Sequence, residues 1–201
     1  MKPHSGISIT ILFSAVMLAA CSGEKKESAE SHEAETATAS AESAKMEVKV
    51  FENVDASVKS QINGFLTDYF ALNQTLIEDN QDGAKAAAKK LSETVRKFDM
   101  SKLEGEQMDF YHMQLSKINA ALGNIEKSAD IEETRLELAS LSEAMYSLAK
   151  AYHPNDVELY YQFCPMARNN EGANWLSLTK EIINPYMGQR MLKCGRTQET
   201  L

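Results

Sequence analysis

A chain of 201 residues has room for one domain with an appendage, and 43% hydrophobic with 25% charged residues is the balance of a packed globular core. Twenty-one Lys plus Arg against 29 Asp plus Glu leave a net charge of -8, which argues against nucleic acid as the main partner because phosphate binding needs a basic field. Three cysteines are too few for a disulfide-built miniprotein, and nine Gly with four Pro disfavour a loop-rich all-β fold.

Residues 1–20 read as an address. Lys2 supplies a positive start, and Ile7 to Ala19 form an uncharged apolar run, shorter than the roughly 20 residues of a membrane-spanning helix. The run ends in Leu18-Ala19-Ala20-Cys21-Ser22. This resembles the lipobox of bacterial lipoproteins, which implies removal of the signal peptide and acylation of Cys21. In such lipoproteins Ser, rather than Asp, after the cysteine implies the outer membrane, so the expected location is the cell envelope, lipid-anchored. Residues 21–50 follow as a tether. Between Ser22 and Lys45 there is no Val, Ile, Leu, Phe or Met, so too little apolar surface exists to offset chain entropy. As flexible coil it would span roughly 25–30 Å.

From 54 to 153 the pattern becomes helical. Val58, Ile62, Phe65, Tyr69, Leu72 and Leu76 recur at steps of three and four. Ala84, Ala88, Leu91, Val95 and Phe98 form a second such stripe, and Met108, Tyr111, Leu115, Ile118, Leu122 and Ile125 a third. Thr134, Leu138, Leu141, Met145, Leu148 and Tyr152 form a fourth. Short connectors at Asn80–Gly83, Asp99–Leu103 and Ser128–Asp130 force neighbouring helices to run antiparallel. The expected fold is all-α, an up-down-up-down four-helix bundle with a small irregular C-terminal extension.

Chemistry inside the bundle is not expected. Asp109-x-x-His112 has the spacing of a di-iron carboxylate site, but such sites need two pairs and further glutamates, and no second pair exists. Met108 and His112 are one turn apart and read as packing at the core edge. No nucleophile–base pair, phosphate loop or haem motif occurs, so no enzyme is expected.

Residues 154–201 carry the informative pattern. Pro154 ends the fourth helix. Val157 to Cys164 is rich in β-forming residues and reads as an extended segment, with Pro165 placing Cys164 and Met166 on one side. Asn184 suits an N-cap, Pro185 a first helical position and Gly195 a stop. A short helix over 185–194 would put Met187, Met191 and Cys194 on one stripe. Thiolate and thioether donors together select Cu(I) and similar soft metals over Mg²⁺ or Ca²⁺.

At these residues a resemblance appears. Tyr161-Gln-Phe-Cys-Pro-Met-Ala167, Gly172-Ala-Asn-Trp-Leu-Ser177 and Ile183-Asn-Pro-Tyr-Met-Gly-Gln-Arg-Met-Leu-Lys-Cys-Gly195 resemble an uncharacterised bacterial family of the domain-of-unknown-function 3347 type. Its members occur as small lipoproteins and fused to CusB-type adaptor proteins of heavy-metal efflux pumps. The resemblance implies a helical bundle with a C-terminal motif handling copper or another heavy metal, matched at Cys164, Met166, Met191 and Cys194. Met187 stands where an aromatic residue is common in the family.

Two functional readings stay open. In one, an envelope lipoprotein binds Cu(I) or another soft metal through these sulfur atoms, as chaperone, sensor or accessory to an efflux adaptor. In the other, Cys164 and Cys194 form a disulfide, the default for an even pair outside the cytoplasm. Closing that loop stabilises by about 3.7 kcal/mol in the chain-entropy model. The protein would then be a stapled interaction module meeting a protein partner through its aromatic C-terminal face. Trp175 and the Tyr160-Tyr161-Phe163 run read mainly as packing.

Overall fold

The computed structural model describes residues 47–154 and 157–201. The signal peptide, Cys21 and most of the tether lie outside these residues.

Four long helices form where the four stripes fall: α1 (Ala56–Ile77), α2 (Gln81–Arg96), α3 (Glu106–Lys127) and α4 (Ile131–Tyr152). The starts of α1, α2 and α4 are set by side-chain acceptors. Asp55 Oδ1 takes the Ser57 amide at 2.8 Å, Asn80 Oδ1 the Gly83 amide at 2.9 Å, and Asp130 Oδ1 the Glu133 amide at 2.9 Å. The Asn80–Gly83 connector thus serves as the cap and first turn of α2. At the far end, His153 adopts a left-handed conformation and Pro154 follows, which stops α4. Helix α1 packs on α2 and α4, and α3 packs on α2 and α4, so each helix has two main helical neighbours. The stripe residues line the shared core, with Met108 and Leu115 at its edge. Packing begins before α1: Val48 and Phe51 are buried, Phe51 lies 5.2 Å from Tyr152 ring to ring, and its amide donates to the Ala151 carbonyl.

Beyond α4 the chain builds an antiparallel sheet, β1 (Tyr160–Cys164), β2 (Ala173–Ser177) and β3 (Arg196–Thr200), in the order β2-β1-β3. Register pairs Gln162 with Trp175 and Cys164 with Ala173 on one side, and Tyr160 with Thr200 on the other, with an irregularity after Tyr161. The all-α expectation is therefore corrected: the extended segment at 157–164 is real, but it is the central strand of a sheet. The short helix over 185–194 is also corrected. Asn184 does act as a cap, accepting from the Tyr186 and Met187 amides at 2.8 and 3.1 Å, yet the chain makes only turns and a 3₁₀ turn at Gly188–Arg190. Gly188 has φ +52, which a helix cannot continue through. With no helix, the Met187, Met191 and Cys194 stripe does not form.

Candidate functional site

The C-terminal segment is fastened to the helices by polar groups that the apolar stripes do not reveal. Helix α4 carries a second stripe, Arg135, Ala139, Ser142, Tyr146 and Ala149, also buried, and β2 packs on this helix. Tyr69 and Ser142 share a hydrogen bond of 2.7 Å, and the Leu176 amide donates to the Tyr69 hydroxyl at 3.2 Å. The Tyr186 hydroxyl donates to the Asn174 carbonyl at 2.6 Å, and Asn73 Nδ2 reaches the Leu176 carbonyl at 3.4 Å. Side chains from α1 and from the loop after β2 thus satisfy backbone groups of β2 where a further strand would otherwise pair. Burial raises the hydroxyl pKa of both Tyr69 and Tyr186, so these phenols stay neutral donors and acceptors.

Further along α4, Tyr146 stacks on Tyr161 of β1, with ring centroids 3.9 Å apart. The Tyr146 hydroxyl and Lys150 both donate to Glu199 on β3, at 2.6 Å each. Phe163, Trp175 and Tyr186 are buried. Most of the aromatic residues are thus used in packing, while Tyr160 is half-buried and its hydroxyl donates to Glu158.

Cys164 and Cys194 form a disulfide, with Cα atoms 5.8 Å apart. Cys164 is fully buried, and Cys194 packs partly buried against the core. The sulfur set of the sequence reading is therefore divided. The cysteines are spent on each other and offer no thiolate in this state. Met166 is 45% exposed, in the turn after β1, so it does not share the buried side of Cys164. Met191 is 40% exposed, and its carbonyl accepts the Cys194 amide. Among the described residues no group of three or more His, Cys, Asp or Glu is placed to hold a metal ion. His112 and Asp109 are exposed on α3.

The structure does bring Met166 and Met187 together, along one cavity of about 360 Å³ between the start of α4 and the loops at 166–170 and 186–190. Its other lining is unexpected: Arg135, Arg168 and Arg190, with Glu132 the single carboxylate, then Leu136, Asn169, Asn170 and Tyr186. Arg135 anchors the region. Its Nε donates to the Pro185 carbonyl at 3.0 Å, Nη1 to Glu132 at 3.0 Å, and Nη2 to Asp79 and to the Leu76 carbonyl. The Arg135 hydrogen bond holds the Asp79 carboxyl below its usual range. Glu132 also accepts from Arg190 Nη2 at 2.8 Å. The sequence signal for this cluster was the second α4 stripe, opening with an arginine at a helical spacing from Ser142 and Tyr146.

Among the described residues no helix is long and apolar enough to cross a membrane. No curated protein and no solved structure matches the chain. Residues 65–157, which run from within α1 to just past α4 and stop short of the sheet, match the model of a family described as a protein of unknown function, DUF3347.

Proposed function

We propose that this chain is a lipid-anchored binding module of the bacterial cell envelope, not an enzyme, in which a disulfide-closed cap on an up-down-up-down four-helix bundle presents the binding surface. The observation that carries the reading is the Cys164–Cys194 bond, because protein disulfides persist in oxidising compartments outside the cytoplasm. The lipobox-like run ending at Cys21 supports the anchor, and the pairing of each helix with two neighbours through short connectors supports the bundle. The cavity rim, where Leu136 and Met166 are exposed, offers an apolar surface for a partner. A protein partner, and an efflux adaptor in particular, rests on the family resemblance.

Soft-metal handling is the second reading, favoured by Met166 and Met187 lining one cavity. Three arginines on the same cavity oppose a cation, so Cu(I) would need the thiolates that reduction of Cys164 and Cys194 releases. Titration of oxidised and reduced protein with Cu(I) separates the readings. The module reading expects no binding tighter than micromolar in either state. Tight binding of the reduced form, lost on Cys164→Ser with Met191→Leu, would replace it with the metal reading.

A further inference from the structure

The Arg-lined cavity has features that helix capping and core packing do not require. Arg168, Asn169 and Asn170 follow one another with φ +53, +56 and +72, three left-handed residues in a row and none of them glycine. Single left-handed residues are ordinary for Asn, but a run led by Arg costs backbone energy and persists only where its surroundings enforce it. The run turns the Arg168 side chain to the cavity lining, where its Nη2 meets Glu171 at 2.8 Å while its Nε is buried with no hydrogen-bond partner. Nε–H and Nη2–H form one edge of the guanidinium, the edge that takes two oxygens of a carboxylate or phosphate side by side. The Nε half of that edge has no partner but is enclosed by protein, so an oxyanion reaches it only as Arg168 reorients. The other half is held by a solvent-exposed, i,i+3 pair of the kind that contributes little and yields to a better anion.

The charge balance points the same way. In a chain of net charge -8, this cavity gathers three guanidiniums: Arg135 is held by Asp79 and Glu132, while Arg190 and Arg168 are held only by the exposed carboxylates of Glu132 and Glu171. The apolar part of the lining, Leu136, Met166 and Met187 beside the Tyr186 ring, suits a hydrocarbon or aromatic body rather than a bare ion. We infer that the cavity is a binding site for a small organic anion, a carboxylate or phosphate ester, whose oxyanion sits on Arg168 and Arg190 and whose body lies on Leu136, Met166 and Met187. The inference does not depend on the envelope-module reading or on any partner.

The test uses the full chain carrying Cys21→Ser, so that no acyl group contributes. Calorimetric titration with phenyl phosphate and with benzoate is expected to show saturable binding at millimolar concentrations or below for at least one of them. Arg168→Gln should weaken that binding about tenfold or more, as loss of a charge-assisted pair does. Leu136→Glu, at an exposed helical position that tolerates glutamate, should do the same by adding a carboxylate to the cavity wall. Its circular dichroism melt should match the parent's, so the site remains testable if Arg168→Gln misfolds. No saturable binding of either probe, or binding indifferent to both substitutions, would overturn the assignment. So would Arg168-dependent flotation with phosphatidylglycerol vesicles in the absence of phenyl phosphate or benzoate binding, which would make the cavity a lipid headgroup contact.

Discussion

Arg135 is 4% exposed and its guanidinium is bonded to two carboxylates and two backbone carbonyls. A charge so buried is tolerable only because nearly all of its donors are used. Its bond to the Pro185 carbonyl and the Asp79 contact to the Gln189 amide at 3.2 Å hold the 184–190 loop against the ends of α1 and α4. Asp79→Asn is expected to destabilise by about 1–2 kcal/mol, a value kept small because Asp79 is partly solvated. The pH dependence follows from the depressed carboxyl. The unfolded chain takes up the Asp79 proton more readily than the folded one, so the pair contributes fully above the unfolded value of 3.8 and its contribution is lost as pH falls through the folded one. Denaturant midpoints should therefore fall less steeply in Asp79→Asn than in the parent as pH is lowered from about 5 to about 2. Equal slopes would show that Asp79 is not paired in the folded protein.

At the scale of elements, the four helices were legible because each buries one stripe against its neighbours, and burial is what three-four periodicity records. The sheet was harder to read. Gln162 and Arg196 are polar residues inside strands, and β3 is Arg-Thr-Gln-Glu-Thr, with no apolar alternation at all. Its place is set by pairing with β1 and by the Glu199 contacts to Tyr146 and Lys150, which no local pattern encodes. Gln162 is fully buried because its amide reaches the Thr179 carbonyl at 3.0 Å and so orders the loop after β2. The short helix expected over 185–194 failed for a definite cause, namely that the loop follows its docking partner. At Gly188 a Cβ would stand 2.1 Å from Asp79 Oδ1 and 2.3 Å from Arg135 Nη2, on a backbone of positive φ. Gly188→Ala should consequently cost about 2 kcal/mol or more, combining strain with a broken ion pair. Hydrogen exchange should localise the loss to 184–194, whereas an unchanged melting temperature would mean that the loop does not sit on this pair.

For the molecule as a whole, the division of labour is between a helical core and a cap closed on itself. The matched family region, 65–157, runs from within α1 to just past α4, while Cys164, Cys194, the methionine pair of the cavity and two of its three arginines lie beyond it. The sulfur residues were visible in sequence as chemistry-bearing types, and the disulfide was one of the two outcomes their spacing allowed. Convergence of arginines was not visible, since Arg135, Arg168 and Arg190 are far apart in the chain and meet only when the cap folds onto α4. The state of the two cysteines decides between a rigid cap and a metal-responsive one. Envelope preparations treated with iodoacetamide before any reductant, then digested and analysed by mass spectrometry, read that state in place. The account predicts peptides containing Cys164 and Cys194 joined to each other and unalkylated; both recovered as carboxamidomethyl cysteines would contradict it.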